Sequence, residues 1–146
     1  VPASTELILV GHALGGMLAR WYVHELGGAE RVSRVVTIST PHQGTRVARL
    51  APFGLGAAIR PGSPVISRLE AARGGPVHYA FAGAEDATVP PDSALGCPAD
   101  WKHVIEGVGH NGILYAPHAQ ERILDAVAGV APGARALVRG PRSVAS

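Results

Sequence analysis

Three short stretches hold the residues whose types and spacing could do chemistry. The first, Gly11-His12-Ala13-Leu14-Gly15-Gly16, joins an apolar run to a segment with helical spacing. A glycine-rich strand-to-helix turn either cradles an anion at the helix N-terminus or holds one residue in a strained, outward position. The usual phosphate loops need a Gly-Lys-Ser/Thr ending or a full dinucleotide fingerprint, and neither is present. On the second option, the glycines two before and two after the central residue, Gly11 and Gly15, are expected to be sterically required. The central residue is Ala13, which has no hydroxyl, and no Ser, Thr or Cys stands within one residue of it. The second stretch runs from Gly83 to Pro90 and carries two adjacent acids, Glu85 and Asp86; the third runs from Gly107 to Gly112 and carries His110. An acid and an imidazole are the parts of general acid–base catalysis. One loop histidine among seven is unremarkable. Three such features at the ends of three predicted strands are not, because sites in open parallel sheets lie beyond the carboxyl ends of the strands.

The elements that must position these residues follow from periodicity. Glu6 to Val10 reads as a strand, and Leu14 to Leu26 as a helix with Leu14, Met17, Leu18, Trp21, Tyr22 and Leu26 at helical spacing, closed by Gly27 and Gly28. Arg34 to Ser39 is β-branched and apolar, suited to a strand buried on both faces of a parallel sheet. Residues 40 to 62 are dense in Gly and Pro, which predicts loop with short helical turns around Val47 to Leu50, and the part from Leu50 to Gly62 could serve as a lid. Ser63 followed by Pro64 predicts a helix start with Val65, Ile66 and Leu69 inward. Val77 to Ala82 and Lys102 to Val108 supply two more strands, and Pro117 to Val127 a last helix with Ile123, Leu124 and Val127 inward. Alternating strands and helices predict an α/β fold, a parallel sheet of about four strands flanked by helices, over residues 1–130. Residues 131–146, rich in Gly, Pro, Ala and Arg, are expected to form a disordered basic tail.

Composition narrows the function classes. With 146 residues, 47% of them apolar, the chain can bury one core. Three arginines, Arg135, Arg139 and Arg142, fall in the tail, and the other ten Lys and Arg are matched by eleven Asp and Glu. A nucleic-acid partner would need a basic face on the folded part rather than a basic tail. No run approaches the roughly twenty apolar residues of a membrane span. The single cysteine, Cys97, reads as an incidental loop thiol, and the spacing of His12, His42 and His110 is no ligand motif, so neither metal nor cofactor is expected.

The order of turn, acid and histidine is that of α/β-hydrolases and differs from the chymotrypsin and subtilisin orders. Beyond the turn, the chain carries Thr40-Pro41-His42-Gln43-Gly44-Thr45, Arg60-Pro61-Gly62-Ser63 leading into Leu69, Val89-Pro90, and Gly107-Val108-Gly109-His110 through Leu114-Tyr115. Over residues 6 to 128 this resembles the bacterial lipases and esterases of the α/β-hydrolase superfamily that have a GHSxGG elbow. The resemblance implies that Ala13 occupies the nucleophile position, that Asp86 is the acid orienting a general base His110, and that the Leu14 N–H is one oxyanion donor. It implies a small-molecule ester or lipid ligand and a serine-dependent mechanism, which Ala13 cannot perform; the alternative is a non-catalytic pseudo-hydrolase that binds or regulates. It further implies that His12 packs beneath the elbow and that His42 shapes the pocket floor or the flap. Such proteins carry about four strands before the elbow strand, and the loop donating the second oxyanion N–H, whereas few residues precede it here. The chain is therefore expected to be the C-terminal half of the fold, with an exposed sheet edge through which it could self-associate.

Overall fold

The computed structural model describes residues 5–50 and 54–130. The basic tail, at 131–146, lies outside the described residues, as do 51–53 of the expected lid. In chain order the elements are β1 (Leu7–His12), α1 (Leu14–Glu25), β2 (Val32–Ile38), α2 (Leu55–Ala58), α3 (Pro64–Ala71), β3 (Val77–Gly83), α4 (Pro91–Ala94), β4 (Trp101–Ile105) and α5 (Pro117–Val127), with 3-10 turns at Gly28–Glu30, Arg46–Leu50 and Gly112–Leu114. The strands form one parallel sheet in the order β1-β2-β3-β4, with Gly11 beside Thr37 and Phe81 beside His103. All four strands therefore end at the same edge, and Ala13, Asp86 and His110 follow three of those ends.

Period-two alternation sorts the side chains between two helical layers. Val36, Ile38, Tyr79, Phe81 and Ile105 form a cluster with Ala119 and Ala126 of α5 on one face. On the other face Val32 and Val35 meet Val23 of α1, while Met17 of α1 meets Ile66 and Leu69 of α3. Ile66 and Leu69 are fully buried, each contributing about 1.5–3 kcal/mol relative to exposure. Helix α3 starts as expected: the Ser63 hydroxyl accepts from the Ile66 N–H at 3.2 Å and Pro64 needs no partner for a missing N–H.

Leu124, expected inward, faces outward, as do two of the leucines at helical spacing in the first helical segment. Leu18 on α1 and Leu26 at its C-cap are 60% and 65% exposed, and Leu124 on α5 is 64% exposed. The row of α1 that packs is Gly16, Met17, Arg20 and Val23, so a polar residue occupies the core face. Val10 is half exposed, since α5 packs over β2 to β4 and β1 forms an edge of the sheet among the described residues. Among the same residues no helix is long and apolar enough to cross a membrane.

Candidate active site

The turn after β1 is strained. Ala13 has φ 50° and ψ −120°, a conformation that costs a non-glycine residue about 1–3 kcal/mol and persists only where its surroundings impose it. The Ala13 N–H donates to the Ile38 carbonyl at 2.9 Å, tying the turn to the end of β2, and the Gly16 N–H donates to the Ala13 carbonyl at 3.2 Å. A Cβ on Gly11 would lie 2.4 Å from the Gly16 nitrogen, and one on Gly16 would lie 2.0 Å from the Thr40 hydroxyl. Gly15, in contrast, has open space where its Cβ would stand. The expectation that Gly11 and Gly15 are the crowded pair thus needs correction: the crowded pair is Gly11 and Gly16. Helix α1 begins with no side-chain cap, so the Leu14 N–H, at the positive end of the helix dipole, is not taken by a capping side chain.

Asp86 and His110 meet. The Asp86 side chain is fully buried, and its Oδ1 accepts from the Thr88 and Val89 N–H groups at 2.9 and 2.8 Å. Its Oδ2 lies 2.8 Å from His110 Nδ1. An ionised carboxylate only accepts, so Nδ1 carries the ring proton and Nε2 keeps a lone pair. Glu85, the other acid in this loop, is exposed. His12, the last residue of β1, places its Nε2 2.8 Å from the His110 carbonyl oxygen, with the two rings 4.8 Å apart. That carbonyl can only accept, so His12 donates and anchors the histidine loop to the strand that carries Ala13.

Ala13, Leu14 and His110 share one cavity of about 240 Å³ with Pro41, Ile59 and Val89, and its wall is otherwise largely apolar. Gly56 of α2 and Ile59 just after it, both in the expected lid, supply part of that wall. Thr45 and Thr88 also line a second groove of about 430 Å³ that continues past Arg46 and Asp92. Ser39, at φ 46°, is the other strained non-glycine residue among those described; its hydroxyl is fully buried and it does not line the cavity, so it offers no substitute nucleophile there.

His42 lies elsewhere than expected. It is fully buried beneath the sheet end, and Pro41 lines the cavity in its place. Arg20 Nη1 donates to His42 Nδ1 at 3.1 Å and Nη2 donates to the Leu69 carbonyl at 2.7 Å. Thr37 Oγ1 lies 3.1 Å from His42 Nε2 and 2.9 Å from His78 Nε2. Burial, aided by the Arg20 charge, holds the His42 imidazole well below its ordinary pKa and lowers that of His78 to about 3. Cys97 is buried beside them, its thiol pushed up by burial, and ligand atoms of His42, His78 and Cys97 lie within 4.8 Å of one another. A guanidinium can only donate, so His42 Nδ1 accepts and Nε2 bears the proton, which leaves that nitrogen no lone pair for a metal. Arg20 was invisible as a core residue in the sequence, where an Arg on an amphipathic helix reads as solvent-facing; its separation from Gly16 and Val23 along one helical row was the available signal.

Comparisons with known proteins fall on the same ground. A family model described as a PGAP1-like alpha/beta domain matches residues 1–51, which include β1, the turn, α1 and β2. Among solved structures, the chain is similar to BpoC of Mycobacterium tuberculosis H37Rv, assigned as a non-heme bromoperoxidase, at TM-score 0.61 and 17% identity over 84% of this chain and 66% of that one. It is likewise similar to one of the metagenome-derived lipolytic enzymes LipS and LipT, at TM-score 0.57 and 14% identity over 86% and 64%, and to the monoacylglycerol lipase of Paleococcus ferrophilus, at 0.55 and 14% over 85% and 67%. This is an α/β-hydrolase fold. The chain spans about two thirds of the length of each of these structures. No curated protein matches it.

Proposed function

We propose that this chain carries the acid, base and nucleophile position of a carboxylic-ester hydrolase of the lipase and esterase kind, with Ala13 at the nucleophile position. The observation that carries the reading is the 2.8 Å contact of His110 Nδ1 with the buried Asp86 carboxylate, beside a residue held at φ 50° at the mouth of an apolar cavity. With serine at position 13, His110 Nε2 takes the hydroxyl proton as the oxygen attacks the ester carbonyl, and returns it to the departing alcohol. The tetrahedral oxyanion is stabilised by the Leu14 N–H at the start of α1. The apolar walls at Leu14, Ile59 and Val89 suit the acyl chain of a small ester or lipid. With alanine no acyl-enzyme forms. That intact arrangement around a missing hydroxyl favours the second reading, a pseudo-hydrolase that retains the ligand.

Reaction with a fluorophosphonate tests the proposal. Ala13→Ser gains one covalent adduct by intact mass, absent from the chain as it stands and from Ala13→Ser/His110→Gln. Labelling of Ala13→Ser no faster than that of the His110→Gln double variant would remove the reading.

A further inference from the structure

A second cavity, of about 110 Å³, lies at the opposite edge of the sheet, between α1, the Gly74–Pro76 turn before β3 and the loop before β4; Arg20, His24 and His78 line it. The hydrogen bonds leading to it have a fixed polarity. Arg20 donates to His42 Nδ1, so His42 Nε2–H donates to Thr37 Oγ1; the buried Thr37 O–H has no other acceptor among the described residues than His78 Nε2 and donates there, which leaves the His78 proton on Nδ1. That Nδ1–H has no partner among the described residues, and neither has the buried Arg20 Nε–H. Of these two donors only the His78 Nδ1–H can meet a ligand in the cavity, because Arg20 Nε is sealed from water; Arg20 contributes its charge from the cavity wall.

The charge is equally unmatched. Arg20 is 2% exposed and forms no ion pair among the described residues. Cys97, the negative group closest to it in effect, is a protonated thiol, since burial raises it. Arg73 and Lys102 add positive charge around Arg20 and His78, and the acid on the cavity wall, Asp100, is exposed and accepts the His78 backbone N–H at 2.8 Å. A buried cation without a counter-charge is costly, and water at the His78 donor would not neutralise it. The same tautomers that deny His42 to a metal favour the opposite ligand. We propose that this cavity binds a small monoanion, of the size of chloride or formate, on the His78 Nδ1–H and beside the buried Arg20 charge. The site stands apart from the ester-hydrolase reading and does not depend on it.

Thermal unfolding at constant pH and ionic strength, with sodium chloride or sodium formate exchanged for sodium isethionate, whose anion is larger, tests it. The midpoint rises with the logarithm of chloride or formate concentration, by about 5 °C at ten times the dissociation constant. Ala72→Leu, which puts a larger side chain in the cavity wall without touching the hydrogen-bond chain, removes the rise. The line width of the chloride NMR signal gives a readout that needs no unfolding transition: excess broadening by the chain, relieved by formate and absent with Ala72→Leu. Equal midpoints in all three salts with no chloride broadening overturn the proposal, as does a response that survives in Ala72→Leu.

Discussion

The turn after β1 makes a prediction that the motif alone would get wrong. Replacing Gly11 by Ala places a Cβ 2.4 Å from the Gly16 nitrogen and 2.5 Å from the Gly15 carbonyl, all backbone of the first turn of α1. No rotamer relieves that contact; α1 must withdraw by about 1 Å to reach ordinary carbon contact distance. Overpacking of this kind costs roughly 1–3 kcal/mol, and a clash against backbone belongs at the upper end, a large share of the ~5–15 kcal/mol that holds a domain together. Gly16→Ala meets only the Thr40 side chain, so its cost of roughly 1–3 kcal/mol falls when Thr40 is also replaced by Gly, with a coupling of about 1 kcal/mol or more. Gly15→Ala meets nothing within 4 Å and lies in the first turn of α1, so it gains up to ~1 kcal/mol from helix propensity. Urea unfolding followed by tryptophan fluorescence separates the three. A Gly15→Ala loss as large as that of Gly11→Ala, or a Gly16→Ala loss unaffected by Thr40→Gly, would refute this account of the turn.

Three further outcomes follow from the described geometry. In an Ala13→Ser background, Asp86→Asn frees the His110 tautomer and lowers kcat by about 10⁴ with KM within a few-fold, measured on a chromogenic ester. Folded His78 stays neutral down to about pH 3 and His42 well below its ordinary range, whereas unfolded histidines take a proton near pH 6.5; the unfolded state thus binds more protons as pH falls. Their contribution is full above about pH 6.5 and declines toward pH 3, by up to ~1.4 kcal/mol per pH unit for each histidine, seen as a falling urea midpoint between pH 7.5 and 5. Ser39→Gly relieves a positive φ and removes a buried hydroxyl without a partner, so it raises stability by about 1 kcal/mol despite glycine's greater unfolded-state freedom, read from the same urea curves.

Much of the fold was legible because parallel α/β sheets write themselves into sequence as buried β-branched runs between amphipathic segments. Arg34 to Ser39 and Val77 to Ala82 gave β2 and β3 to within about two residues, and Pro117 to Val127 gave α5. Periodicity identifies a helix but not its buried face when apolar residues lie on two sides, which is why Leu124 was misplaced. The meeting of Asp86 with His110 depended on register between strands far apart in sequence, so the residues alone could not separate Asp86 from Glu85; the family pattern could. Cys97 and His42 lie on two separate loops whose burial the sequence does not signal, and an Arg20 hydrogen bond holds the His42 loop under the sheet. Short helices such as α2 and α4 fell within Gly- and Pro-rich stretches where local signals are weak.

The central claim is that Asp86, His110 and position 13 form one acid, base and nucleophile arrangement from which the hydroxyl is missing. Hydrolysis of a short-chain p-nitrophenyl ester by the chain as it stands, by Ala13→Ser and by Ala13→Ser/His110→Gln, side by side, tests it most directly. The account predicts turnover for Ala13→Ser alone, with the other two at the level of buffer. Equal rates for all three would contradict it.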